Sequence, residues 1–353
     1  MEDRKDHLWK VAQEAEERID DLMKAGANPM GLDVGTSKVV ASRRKAKEID
    51  SLSELNAFIP VPYAKVTEAI LTQNQIAYYR EGEELIIYGT ATERFANMFN
   101  AELRRPMADG LLNAREKRAM PVLEAIVNNL VPKPKAQGET LAFSVPAAIP
   151  GREAALTYHE ATLRGLFQTM GYKAVAINEG LSVVFAELEE NNFTGIGVSC
   201  GGGMCNATLA FLSIPAIMVG IAKGGDYVDA AVGAVINEHA TRVKVMKEDG
   251  VDLSRPPKDK FDRAIRIYYE ELIETVVDGI HKAISSAERL PRADRAVPIV
   301  LSGGSVKPKG FKELFEKALR ARTMPFEVAE IRMAKDPLTA TARGALIAAM
   351  YEK

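Results

Sequence analysis

Cysteine, histidine and tryptophan are scarce in this chain, and neither charge sign dominates it. Only two of its 353 residues are cysteine, Cys200 and Cys205, which excludes a disulfide framework and any paired-cysteine metal motif. The histidines, His7, His159, His239 and His281, are scattered, so no histidine-built metal centre is expected. A formal net charge of −2 gives no global field to draw in nucleic acid or an anionic membrane. No apolar run approaches the ~20 residues that span a bilayer, and the first residues are too charged for a secretory signal. The expectation is a soluble protein of a reducing, cytoplasmic compartment without a nucleic-acid partner. What is present is ordinary globular composition, 47% hydrophobic and 27% charged, in a chain long enough for two cores.

Residues 1–26 stand apart. Leu8, Val11, Ala12, Ala15, Ile19 and Leu22 recur at helical spacing, and Gly26, Asn28 and Pro29 end the pattern. This amphipathic extension could dock on its own fold, on a partner, on the next subunit or on a membrane, although its acidic residues outnumber the basic ones. Beyond it, a polar stretch follows Val40, and the run Arg43 to Lys47 reads as a solvated loop. "AYYREGEELIIYG" reads as a hairpin turning at Glu81-Gly82-Glu83. Glu93 to Val131 is mostly helical, with breaks at Pro106 and Gly110. Buried strands are expected at Thr140, Lys173 and Ala296, with long helices at Arg152–Met170, Phe261–Arg289 and Leu338–Tyr351.

Two segments repeat one design. "LDVGTSKVV" and "VSCGGGMCNATL" are each strand, small-residue turn, strand, which suggests two α/β lobes facing a cleft. A phosphate chain there needs inward-pointing backbone N–H groups, hence residues without a bulky Cβ. Gly35-Thr36-Ser37 and Gly201-Gly202-Gly203 supply two such turns. Thr36 and Ser37 add hydroxyls, and Asp33 adds a carboxylate suited to a hydrated magnesium ion. Gly303-Gly304-Ser305, after its own buried strand, suits a flat base or ribose. Cys200 and Cys205 read as small packing residues.

These segments resemble the actin-like ATPases, and the bacterial actins of the MreB and MamK kind more than eukaryotic actin. "GLDVGTSKVV" is similar to the first phosphate loop of that family, including that of the division protein FtsA, and "GVSCGGGMCNATL" to the second. "RPMADGLL", "INEGLSVVFA", "GGDYVDAAV", "VLSGGSVKPKGF" and "DPLTATARGAL" follow in family order. The resemblance implies an actin-like, ribonuclease H-like two-lobed α/β fold with ATP and Mg2+ between the lobes, and polymerisation of the protein with itself into filaments. It implies an N-terminal extension over 1–29, a first domain over 30–177 plus 330–353, and a second over 178–329. Carried over residue by residue, Asp33 would lie near the metal. Gly35, Thr36, Ser37 and Lys38 would hold phosphates from one lobe, and Ser199, Gly201, Gly202, Gly203 and Met204 from the other. Gly303, Gly304 and Ser305 would lie against adenosine, Glu238 would reach ribose and base, and Glu153 would orient the attacking water. By residue chemistry alone, Glu153 reads first as a favourable charge at a helix N-terminus, and only the resemblance gives it the water-orienting role.

The chain departs from the family at one place that matters. The second phosphate loop usually opens with aspartate, and Ser199 stands there, with Met204 where threonine is usual. Serine keeps a hydrogen bond but loses the charge that helps bind magnesium and polarise water. Nucleotide binding with slow hydrolysis is therefore expected. Two other readings stay open: a non-hydrolysing adaptor like FtsA in role, linking a filament to a membrane or partner, and a sugar or acetate kinase of the same superfamily.

Overall fold

A computed structural model describes residues 28–45, 48–99, 103–291 and 295–352; the expected helix over 1–26 lies outside them. Met30–Val34 (β1) enters the first sheet and turns back into Lys38–Lys45 (β2), which pairs antiparallel with Glu48–Leu55 (β3). The polar stretch after Val40 is thus a strand pair: an edge strand with one wet face carries polar residues without leaving the sheet. Arg43 to Lys45, expected as loop, end β2 and line a shallow recess of about 370 Å³ with Lys133 and Lys135.

Phe58–Pro62 (β4), Lys65–Gln73 (α1), Tyr78–Glu81 (β5), Glu84–Tyr88 (β6) and Ala91–Phe99 (α2) build a small three-stranded unit with its own core of Ile59, Leu71, Leu85 and Ile87. Met107–Ala108 (β7) and Leu111–Leu112 (β8) form a two-residue ribbon around Gly110, splitting the expected helical region before Ala119–Leu130 (α3). Thr140–Val145 (β9), Glu153–Thr169 (α4) and Lys173–Asn178 (β10) complete the first sheet in the order β10-β9-β1-β2-β3. Glu179–Glu187 (α5) then crosses to the second half, capped by the Asn178 side chain, which accepts from the amides of Gly180 and Leu181.

Gly195–Cys200 (β11), Cys205–Phe211 (β12) and Ile214–Ile221 (β13) repeat the antiparallel arrangement. After Gly225–Ile236 (α6), Ala240–Glu248 (α7) and Lys260–Ser285 (α8) comes Val297–Ser302 (β14), parallel to β11. Phe311–Arg320 (α9) leads to Val328–Met333 (β15), and Ala340–Tyr351 (α10) closes the chain. The second sheet runs β13-β12-β11-β14-β15. β15 pairs parallel with β14, so residues 328–333 form the edge of the second sheet.

Close approach decides how the halves meet. A Cβ on Gly31 of β1 would lie 2.1 Å from the Leu346 amide of α10, and one on Gly197 of β11 2.1 Å from the Gly180 carbonyl of α5. A Cβ on Gly344 would stand 1.7 Å from the Ser182 carbonyl. Helices α10 and α5 therefore touch each other and the two central strands backbone to backbone.

Candidate functional site

Glycine at 31 and 197 lets a helix press against each central strand, and the next residue on the same face, two positions on, reaches the cleft. Those residues are Asp33 and Ser199. A cavity of about 360 Å³ opens there, lined from both halves. The first turn is closed by the Gly35 amide on the Lys38 carbonyl at 3.0 Å, and Asn56 Nδ2 donates to the Gly35 carbonyl at 2.8 Å. The second is closed by the Gly201 amide on the Met204 carbonyl at 2.9 Å. Its outer carbonyls are taken: Gly225 and Asp226 amides donate to Gly201 and Gly202, and Ser305 Oγ to Gly201 at 2.8 Å. Gly303, at φ +96°, approaches the Cys200 carbonyl so closely that a Cβ would lie 2.2 Å from it, a conformation and a gap open only to glycine.

Two carboxylates converge on the floor. Asp33 accepts from Ser144 Oγ at 2.6 Å. Glu179, from the first turn of α5, accepts from Asn206 Nδ2 at 2.8 Å and Ser199 Oγ at 3.2 Å. Lost hydration pushes Asp33 up to about 6 against the pull of the Ser144 hydroxyl. Lost hydration and the Asp33 charge push Glu179 up to about 8. Such a pair is poised for a divalent cation, which would relieve the repulsion. At the opposite end Lys247 pairs with Asp229 at 2.7 Å, and Lys244 faces Glu93 at 3.6 Å and Glu248 at 3.9 Å.

Asp33, Gly35, Thr36, Ser37, Lys38, Ser199, Gly201, Gly202, Gly203, Met204, Gly303, Gly304 and Ser305 all line this cavity. Glu153 and Glu238 do not. Glu153 is exposed at the start of α4, its Oε1 accepting from the Gly151 amide at 3.1 Å. Glu238 is exposed just past α6, where Asn237 turns left-handed at φ +61° and leads the chain away. Glu248, Lys244 and Lys247 stand at the cavity instead. Sequence reasoning missed these three and, at the floor of the cavity, Glu179. Its signal was an acid opening an apolar helix immediately after a buried strand, a costly placement unless the charge is used.

The family model described as Volactin matches residues 29–349. The chain belongs to the volactin family. No curated protein matches it. Among solved structures, the MamK double helical filament is similar at 21% identity over 92% of this chain and 99% of that one, with a TM-score of 0.69. A non-polymerising A278D mutant of MamK bound to AMPPNP gives 19% identity over 92% and 98%, with a TM-score of 0.56. MreB5 of Spiroplasma citri bound to ADP gives 13% identity over 91% and 95%, with a TM-score of 0.63. These likenesses establish the actin-like two-lobed fold of this volactin-family chain. Among its described residues, no helix is long and apolar enough to cross a membrane.

Proposed function

We propose that this chain is an actin-like cytoskeletal protein that binds ATP with Mg2+ in the cleft and assembles with itself into filaments, hydrolysing the nucleotide slowly. The observation that carries this reading is the convergence of both glycine turns, Asp33 and Glu179 on one cavity. The amides of the turns, with Thr36 and Ser37, would take the phosphates, and Gly303 to Ser305 with Lys244, Lys247 and Glu248 would flank the nucleoside. The donor set fits magnesium. Among the described residues no cluster of three or more metal-ligating side chains exists, and magnesium in phosphate sites typically takes one or two carboxylates plus the phosphates. Asp33 and Glu179 would hold the ion, which when bound supplies charge neutralisation for the phosphates.

Slow turnover follows from what faces the cavity. Ser199 brings no charge, and Glu153 lies outside. Asp33 and Glu179 would both serve the ion, and Glu179 is further tied by the Ser199 and Asn206 hydrogen bonds, so neither acid of the floor would be left to orient water. Self-assembly is supported by the fold shared with a protein solved as a double helical filament. The lobes proposed are residues 30–177 with the C-terminal helix, and 178 to just beyond β15. Titration calorimetry with Mg-ATP, followed by sedimentation and electron microscopy with ATP, ADP and no nucleotide, tests the proposal. Heat of binding and nucleotide-dependent filaments are expected; no heat, or phosphate transfer to a sugar, overturns it.

A further inference from the structure

A guanidinium stands where the two phosphate turns touch. Arg105, just before β7, points across the cleft: its Nη1 donates to both carboxylate oxygens of Asp226, at 3.0 and 3.1 Å, and lies 3.4 Å from Ser37 Oγ. Asp226 belongs to the first turn of α6, and its amide holds the Gly202 carbonyl at 2.8 Å. A Cβ on Gly202 would fall 2.3 Å from Ser37 Oγ and 3.3 Å from each Asp226 carboxylate oxygen. Ser37, Gly202 and Asp226 line the cavity, and Arg105 stands just behind that lining, joined to it through Ser37 and Asp226. This junction is therefore the seam where the first turn, the second turn and a cross-cleft ion pair meet.

Two features go beyond a strut between lobes. All of Arg105's polar side-chain contacts are made through one nitrogen, so Nε and Nη2 have no hydrogen-bond partner among the described residues. A guanidinium held by one arm keeps a planar fork for a second anion, which an ammonium cannot do. Asp226 also places a negative charge on the cavity wall, 35% exposed, beside Ser37 and Gly202. A terminal phosphate entering between those turns would meet that charge unopposed unless a cation bridges the two. The pair is only partly exposed, so solvent screens it incompletely.

Resting on the nucleotide reading above, we infer that Arg105 is the residue by which this cleft distinguishes nucleoside triphosphate from diphosphate. It keeps Asp226 on Nη1 and offers its free donors to the terminal phosphate. Binding of triphosphate thereby ties the first lobe, through Arg105, to the second, through Asp226, and a diphosphate leaves that tie to the ion pair alone.

The test is binding of Mg-AMPPNP and Mg-ADP, measured by calorimetry on the full chain, with circular dichroism confirming that each variant folds. Arg105→Ala should weaken Mg-AMPPNP at least ~10-fold, the scale of a charged hydrogen bond, and change Mg-ADP by less than ~2-fold. Arg105→Lys should recover only part of the loss, because charge returns without the fork. Asp226→Asn, which removes the competing acid, should tighten Mg-AMPPNP and leave Mg-ADP nearly unchanged. Equal losses for both nucleotides in Arg105→Ala would make the pair a structural strut and overturn the inference while the nucleotide site stands. Wild-type protein that binds neither nucleotide overturns the site itself, and this inference with it.

Discussion

Strands β1, β2, β3, β9 and β10 of the first sheet correspond in order and direction to β11, β12, β13, β14 and β15 of the second. The correspondence reaches single residues. Gly31 and Gly197 each meet helix backbone, Asp33 and Ser199 each follow two residues later, and Ser144 and Ser302 stand on the neighbouring parallel strands, Ser302 in register with Ser199. What the halves share is steric: no side chain fits at the glycine positions, so both halves hold the same spacing to the cleft. They differ in charge. The first half carries its acid on the strand, and the second carries serine there and takes its acid from α5 as Glu179, 3.2 Å away. The geometry of the cleft is thus duplicated while its electrostatics is assembled from both halves.

The largest effects should come from the shared feature. Gly31→Val and Gly197→Val each force a branched side chain into helix backbone about 2.1 Å from the Cβ, and each should cost well over ~3 kcal/mol or leave the protein insoluble. Gly82→Ala, at φ +59° with nothing within 4 Å of its Cβ, should cost only about 1 kcal/mol. Urea unfolding of the three variants decides it: a stable Gly197→Val protein would break the equivalence of the halves.

Next come the acids. Asp33→Asn and Glu179→Gln should each weaken Mg-ATP on the order of 10–100-fold, and Ser199→Ala less than ~10-fold, by calorimetry. Should Ser199→Ala match the other two, the charge asymmetry drawn above is wrong.

A pH series sharpens the same contrast. Between the usual carboxylate value of 4.5 and the folded value of about 8, Glu179 binds a proton in the folded protein and none in the unfolded one. Folding then takes up a proton, so nucleotide-free stability falls as pH rises across that window. Melting temperatures of wild type should decline from about pH 5 to pH 8, and those of Glu179→Gln should decline less. Parallel curves would show that Glu179 is not the group responsible.

The smallest change restores symmetry. Ser199→Asp adds a third carboxylate beside Glu179 and should lower nucleotide-free stability by roughly 1–3 kcal/mol, an effect that magnesium with nucleotide reverses. A variant whose melting point is unmoved would mean that Glu179 swings away from position 199.

Much of this was readable along the chain, because alternation, glycine turns and capping are local. The two hairpins, the strand after Ala296 and the α8 and α10 helices follow from periodicity alone. The β2–β3 pair was hidden by its polar face, and β15 by a half-exposed pattern at the sheet edge. At the site, residues on the turns were found because glycine there has a backbone reason. Glu153 and Glu238, which the resemblance put at the site, lie outside the cavity lining; an acid at a helix end reads the same in sequence whether it faces solvent or ligand.

The order of residues by itself determined the two strand–turn–strand units, their glycines and the loss of an acid at Ser199, since each depends on neighbours a few positions apart. Only tertiary structure decided that Glu179 would stand beside Ser199 and Asp33, that Arg105 would reach Asp226, and that Glu153 would look outward. Those facts depend on how α5 and α10 cross two sheets, and the contacts that set that crossing include pairs as distant along the chain as Gly31 with Leu346 and Ser182 with Gly344.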